Sequence, residues 1–393
     1  MTDVDVLVVG GGPAGSSVAL HLVRACGLRP SSVAIVDSAV FPREKPCAGA
    51  VSTWGLEALE ALGVDVGVPR VPMRGLRILH EGEAGATSAP LGVVVRRDAF
   101  DTALLREAQA DGVMVREGEA LVALARDARG GYTVQTSRRV VRARHVVACD
   151  GVAGRSRRAL GLKEVARKGH LYVAETLPVS ADVGPERDLC DFELAVCAAG
   201  IEGYYWDFPT IMGAARHVSR GIYHANLTPR SNVKAALLGC LRARGIDPEG
   251  VRLKPFPTRP FVPETVLEHD GVLFVGEAAG IDRTTGEGIA QSIVMGGLAA
   301  SVLARALRSG SPIGGGYDRA VRASRVGRHL LQSAGLAARV YGDRGLAYRR
   351  LLTRSAAARD AGAAWYAGAR VSLRAKARLG LSLGLEGLAA LRL

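Results

Sequence analysis

Three stretches of this 393-residue chain carry residues whose types and spacing could do chemistry. In VLVVGGGPAG, Gly10, Gly12 and Gly15 fit G-x-G-x-x-G. The first glycine allows a tight turn, the second lets backbone approach a pyrophosphate, and the third lets a helix pack against its strand. In FPREKPCAGAVS, the thiol of Cys47 follows Arg43 and Lys45, an electropositive setting that favours thiolate; a buried small filler is the other reading of such a cysteine. In GYYWDFP, four of seven residues are aromatic in a chain that is 5% aromatic. On a strand, Tyr204, Trp206 and Phe208 share one face by the period of two, with Tyr205 and Asp207 pointing outward. That face is either an aromatic wall for a flat or greasy ligand or ordinary sheet packing.

These residues need a scaffold, and the glycines announce theirs. Val4, Val6, Leu7, Val8 and Val9 make a buried strand, and Ala14 to Cys26 read as a helix. A second strand, SSVAIVDSA, ends in Asp37, 22 positions past Gly15, where a carboxylate can bond a ribose hydroxyl. Strand, glycines, helix, strand and acid in that order specify a dinucleotide site, with phosphates at the helix N-terminus. Two later stretches favour a flavin. HVVACDGVAGRSRR is a strand ending at Asp150 and Gly151. GVLFVGEAAGIDRTTGEGIAQSI is a strand, then Gly276 and Glu277, then a helix start crowded by Gly286 and Gly288. Such an end suits a ring that carries partial negative charge.

With these motifs in place the sequence resembles the FAD-dependent monooxygenase and geranylgeranyl reductase superfamily, with the fold of para-hydroxybenzoate hydroxylase, over roughly residues 1–310. The R-x-x-F-D-x-x-L pattern matches Arg97, Phe100, Asp101 and Leu104, and the resemblance sets Arg97 against the FAD phosphates or ribitol. Arg157 takes the arginine position after Asp150-Gly151. Two positions depart from the pattern. Glu277 stands where the family has aspartate, and Arg283 where it often has proline, so a guanidinium there would meet an anionic reduced flavin or an anionic substrate group. KPCAGAVS resembles the K-P-C-G-G motif of geranylgeranyl reductases, whose cysteine faces the flavin and substrate cavity. GYYWDFP fits their Y-x-W-x-F-P at Tyr204, Trp206, Phe208 and Pro209; the following G-x-G is not evident, and SRGIY stands near that point.

The implied fold is α/β: a Rossmann-like FAD-binding domain from 1–66, 96–165 and 266–320, an inserted β-sheet substrate domain from 67–95 and 166–265, and a helical C-terminal region, 321–393. The expected activity is reduction of C=C bonds in a prenyl lipid or related apolar substrate. Cys47, Tyr204 and Trp206 are candidate catalytic residues, and Tyr204, Trp206, Phe208 and Arg283 are candidate substrate contacts. The alternatives are an FAD-dependent hydroxylase or halogenase and, from a different class, a flavin-bound scaffold or electron carrier. None of the six lysines follows a halogenase pattern. No second G-x-G-x-x-G follows a later strand, so electrons would come from transiently bound NAD(P)H or another donor.

Composition bounds the rest. Six cysteines without CxxC or Cys/His metal spacing suit a reduced, cytoplasmic setting and no metal. Asp3 and Asp5 stand where a signal peptide would be basic. Of the net charge of +13, residues 321–393 hold +11, from 14 Lys and Arg against three acids. That region could meet an anionic membrane surface peripherally, with Leu381, Leu385 and Leu388 on one face, or be a solvated helical face. Nucleic acid is disfavoured, because arginine alternates there with leucine rather than with stacking aromatics.

Overall fold

The computed structural model describes residues 2–163, 168–184 and 188–369. Its first sheet grows around Thr2–Val9, which pairs in parallel with Val33–Val36 on one side and Val140–Ala148 on the other. Met114–Arg116 and Val272–Phe274 extend it, and the hairpin Leu121–Arg126 and Tyr132–Thr136 leans on Val140–Ala148. A parallel sheet must be covered on both faces, which is why its centre, residues 6–9, 33–36 and 146–148, consists of Val, Leu, Ile and Ala. The helices Pro13–Leu20, Arg97–Ala110 and Ile289–Ser309 lie in this part of the fold. Ile289–Ser309 has the length and hydropathy of a membrane span, but most of its central window is buried inside the protein.

The second sheet has eight strands in the order Lys254–Thr258, Gly169–Thr176, Ala215–His224, Gly203–Met212, Cys190–Glu193, Arg70–His80, Glu83–Val95 and Ala50–Ser52. Residues 50–52 therefore pair into this sheet, although they fall within 1–66. Both faces of the sheet are covered. Tyr204, Trp206 and Phe208 share a core with Phe192 and Tyr366, whereas Tyr205 packs in a separate cluster with Leu237 and Leu241 of the helix Val233–Ala243.

The outward placement of Tyr205 and Asp207 needs correction. Their face carries a buried ion cluster rather than water. The Tyr205 hydroxyl and Arg220 each donate to Asp207 Oδ1 at 2.5 Å, and Arg244 Nε donates to Oδ2 at 2.8 Å. Arg220 stands directly across from Asp207 on the neighbouring strand, so register brings the charges together.

Up to residue 369, the C-terminal region is largely built in rather than a solvated tail. Four helices, Gly316–Ala323, Arg325–Tyr341, Leu346–Arg354 and Ala356–Tyr366, follow the helix Ile289–Ser309. Their arginines act largely as clamps: Arg354 pairs with Glu83 at 2.5 Å, Arg359 Nε donates to the Ala86 carbonyl at 2.9 Å, and buried Arg349 donates to the Val340 carbonyl at 2.7 Å. The leucine stripe Leu381, Leu385 and Leu388, with five of the 14 basic residues, lies outside the described residues.

Candidate functional site: two cavities sharing one loop

The strand Thr2–Val9 ends where its neighbours Val33–Val36 and Val140–Ala148 also end, so three strand termini open on one crevice. Gly10 and Gly12 line a cavity of about 430 Å³ there. Gly10 has φ of +108°, and a Cβ on it would sit 2.4 Å from the Cys149 carbonyl oxygen. Gly15 lies behind, where a Cβ would fall 1.8 Å from the Gly10 carbonyl oxygen. The backbone thus forms a close cradle that only glycine permits. Asp37 lines the same cavity, with Oδ2 accepting from the Gly11 amide at 2.7 Å and Oδ1 from Ala39 at 2.8 Å.

Charge is concentrated at the mouth of the cradle. Asp101, fully buried on the helix Arg97–Ala110, accepts two bonds from Arg97 at 2.8 Å and pairs with Arg43 at 2.9 Å. Burial works against the Arg97 charge, but Asp101 and a bond to the Cys47 thiol outweigh it and hold its pKa above the ordinary value. Arg43 Nη1 is buried without a partner. Asp150 has its Oδ2 on the Ser156 amide at 2.8 Å and its Oδ1 buried and unpartnered; burial holds its pKa above the usual carboxylate range. Arg157 donates to the carbonyls of Val266 and Ala278 and lies over the Phe274 ring; burial and Arg259 bring its pKa down to about 10. Gly151 and Glu277 line the cavity together with Lys45, whose Nζ reaches Glu277 Oε2 at 2.8 Å. The longer acid at 277 is therefore met by the lysine of KPCAGA, a pairing 232 residues apart that neither motif alone reveals. Gly276, with φ of +66°, keeps the chain clear of Ser292 and Ala14.

Cys47 lines this glycine-rich cavity, and the Gly49 amide points to its sulfur at 3.4 Å. Orphaned polar atoms on Arg43 and Asp150, the glycine cradle and the helix starting at Ile289 behind Gly288 together fit a flavin dinucleotide.

A second cavity of about 790 Å³ lies against the other sheet. Leu76, Ile78, Phe192, Leu194 and Tyr204 form its floor, and Tyr341, Tyr348, Trp365 and Tyr366 from the C-terminal helices form its roof. Of the aromatic heptad, Tyr204 alone lines it. Trp206 lies over Gly221, where a Cβ would meet its ring at 2.2 Å, and its Nε1 donates to Ser219 at 3.3 Å. Phe208 packs on Phe192, with ring centroids 5.2 Å apart. Trp206 and Phe208 are thus support behind the wall, and the SRGIY stretch supplies the glycine that admits the indole.

The two cavities share the loop 282–288. Thr284 and Thr285 line the apolar cavity, and Gly286 and Gly288 line the glycine-rich one. The loop is held by side chains from distant elements. The hydroxyl of Tyr204 donates to the Thr285 carbonyl and that of Tyr341 to the Thr284 carbonyl. Thr284 Oγ1 donates to the Ser333 carbonyl at 2.8 Å. Within the loop, Asp282 Oδ1 accepts from the amides of Thr284 and Thr285 at 2.7 and 2.8 Å. Glu287 Oε1 accepts the Ala290 amide at 2.9 Å, and burial raises its carboxyl to about 8, with Asp282 adding to the shift against that amide bond.

Arg283 does not reach either cavity. It is buried, and Nη2 turns to Glu202 at 2.9 Å. The likeness in sequence to a proline position gave no warning of that partner. Asp282, His329 and Trp365 are the site residues that sequence reasoning missed; they come from separate elements, and no local motif marks them.

Known proteins resemble this chain in sequence and in fold. The family model described as "FAD binding domain" matches residues 3–311. A digeranylgeranylglycerophospholipid reductase of Thermoplasma volcanium is 31% identical, over 84% of this chain and 86% of its own length. A crystal structure of a geranylgeranyl bacteriochlorophyll reductase-like protein from Thermoplasma acidophilum superimposes with a TM-score of 0.75 at 24% identity, covering 93% of this chain and 96% of that one. A flavin-dependent brominase shares the fold, with a TM-score of 0.71 at 17% identity over 93% of this chain and 94% of the other.

Proposed function

The chain belongs to the geranylgeranyl reductase family of FAD-dependent oxidoreductases, and from that premise we propose that it saturates C=C bonds in the prenyl chain of a lipid. The observation that carries this reading is the 790 Å³ cavity, apolar on floor and roof and separated from the glycine cradle by one loop. When bound, FAD supplies the hydride chemistry; the chain supplies position, dryness and charge. Gly10, Gly12, Gly15, Asp37, Arg43, Arg97, Asp150, Gly151, Gly276, Glu277, Gly286 and Gly288 are the residues proposed to hold the cofactor. Tyr204 and Phe192 support the prenyl chain from below, and Trp206 and Phe208 hold them in place. Arg325, Arg328 and Arg339 stand on one helix at the rim and suit a substrate with a charged head. A lipid substrate would bring the enzyme to a membrane surface, with residues 321–393 as its basic contact.

The test is anaerobic. The flavoprotein is reduced with dithionite and mixed with a geranylgeranyl lipid. Reoxidation of the flavin with a saturated product by mass spectrometry supports the proposal. Flavin that stays reduced with lipid, yet gives a hydroxylated product with air and an aromatic substrate, overturns it. Gly362 lines the cavity with open space around its Cα, so Gly362→Trp fills the chamber; it should keep bound FAD while slowing lipid-driven reoxidation at least about 10-fold.

A further inference from the structure

Saturating a double bond takes a proton as well as a hydride, and the hydroxyls near the apolar cavity are mostly committed. Tyr204 and Tyr341 donate to loop carbonyls. The Cys47 thiol lines the other cavity. His329, in contrast, lines the apolar cavity and is positioned on three sides. Its Nε2 lies 2.6 Å from Asp282 Oδ2, its ring stacks on Trp365 at 4.1 Å, and the Trp54 ring meets its edge at 5.8 Å. Nδ1 has no hydrogen-bond partner among the described residues.

We infer that His329, oriented by Asp282, donates the proton that completes reduction of the substrate bound in the apolar cavity. The inference rests on the prenyl-reductase reading. Asp282 is already fixed by the amides of Thr284 and Thr285, so its second oxygen is aimed at the ring. A carboxylate accepting from Nε2–H selects that tautomer and leaves Nδ1 to carry the mobile proton. The Nδ1–H bond breaks as a C–H bond forms at one alkene carbon. The other carbon takes a hydride from the reduced flavin, which ends oxidised, and solvent returns the proton to the ring. An imidazolium is too weak an acid to protonate an isolated alkene ahead of the hydride, and a hydride arriving first would leave an unstabilised carbanion, so the two transfers must be concerted. Other charged groups face this corner: Arg325, which lies over Trp54, and Arg328 on the same helix; Arg359 on the last helix; and Glu287 and Arg283 on the loop, the latter turned to Glu202.

The test uses the FAD-loaded protein. Without substrate, tryptophan emission is followed against pH. A protonated imidazole quenches a stacked indole, so the wild type should brighten in one step as His329 loses its proton, and H329Q should show no such step. The same step in H329Q overturns the assignment. In anaerobic single turnover with prenyl lipid, H329Q should slow about 100-fold or more while its apparent affinity for the lipid changes by less than about 3-fold. Added imidazole should restore part of the rate to H329A, which a purely packing role would not allow. D282N, which keeps the ring, should also be slowed. Wild-type rates in H329Q, or failure of imidazole to rescue H329A, overturn the proton-donor role. A wild-type enzyme that no prenyl lipid reoxidises overturns the substrate reading instead, and the emission step still judges His329 by itself.

Discussion

Around the glycine-rich cavity the chain presents backbone and fixed charge: Gly10 and Gly15 cannot carry a Cβ, and Arg43 and Arg97 converge on the buried Asp101. Around the apolar cavity it presents rings from four separate elements, with Phe192 and Tyr204 on neighbouring strands and Tyr341 and Trp365 on helices more than 100 residues later. The first wall fails when an atom or a charge is misplaced. The second has room to absorb change, because side chains packed by contact alone can repack. The contrast suits a fixed cofactor facing a variable substrate.

That difference can be broken most forcefully at Asp101. Replacing it with alanine leaves Arg97, 9% exposed, and half-buried Arg43 without their carboxylate, and should cost about 3 kcal/mol in chemical denaturation together with loss of yellow colour. An unchanged midpoint would show that water replaces the carboxylate. The shared loop comes next. Glu287 stays protonated in the fold up to about 8, while its ordinary value is 4.5, so between these limits the native state holds the extra proton. Its contribution is fully present below 4.5 and is lost as pH rises through 8. Thermal melts should therefore show E287Q gaining on the wild type as pH climbs, by on the order of 5 kcal/mol at pH about 9. Parallel pH curves for the two proteins would remove the buried acid from the account. Tyr204→Phe deletes the hydroxyl on the Thr285 carbonyl and should cost about 1–2 kcal/mol, read as a lower urea midpoint with FAD still bound. At the exposed Arg354–Glu83 pair, Arg354→Ala should leave the melting temperature unchanged within error.

The glycine-rich side was legible in the sequence because its determinants are local. A strand, a turn and a helix start fix Gly10, Gly12, Gly15 and Asp37 within a few dozen residues, and the two-layer α/β architecture follows from such units. The apolar side was legible only as an excess of rings. Period-two spacing put Tyr204, Trp206 and Phe208 on one face, but spacing cannot say which ring ends at a cavity and which sits behind it. That depended on Gly221 opposite Trp206 and on helices more than 100 residues downstream. Charge misled in two places. Arg283 found Glu202, and arginines of the C-terminal helices found Glu83 and backbone carbonyls, because ion pairing across the fold leaves no trace in local composition.

The clamps between the last helices and the early strands span nearly the whole chain: Thr53 reaches Ala367 across 314 residues, and Thr87 reaches Asp360 across 273. During synthesis the flavin half can assemble while the aromatic floor of the apolar cavity is still bare, since its roof is made more than 100 residues after its floor. Such late, long-range closure slows folding and leaves a greasy sheet waiting for its cover. Chaperone supply and the rate of translation through residues 325–366 should accordingly govern how much folded enzyme a cell accumulates.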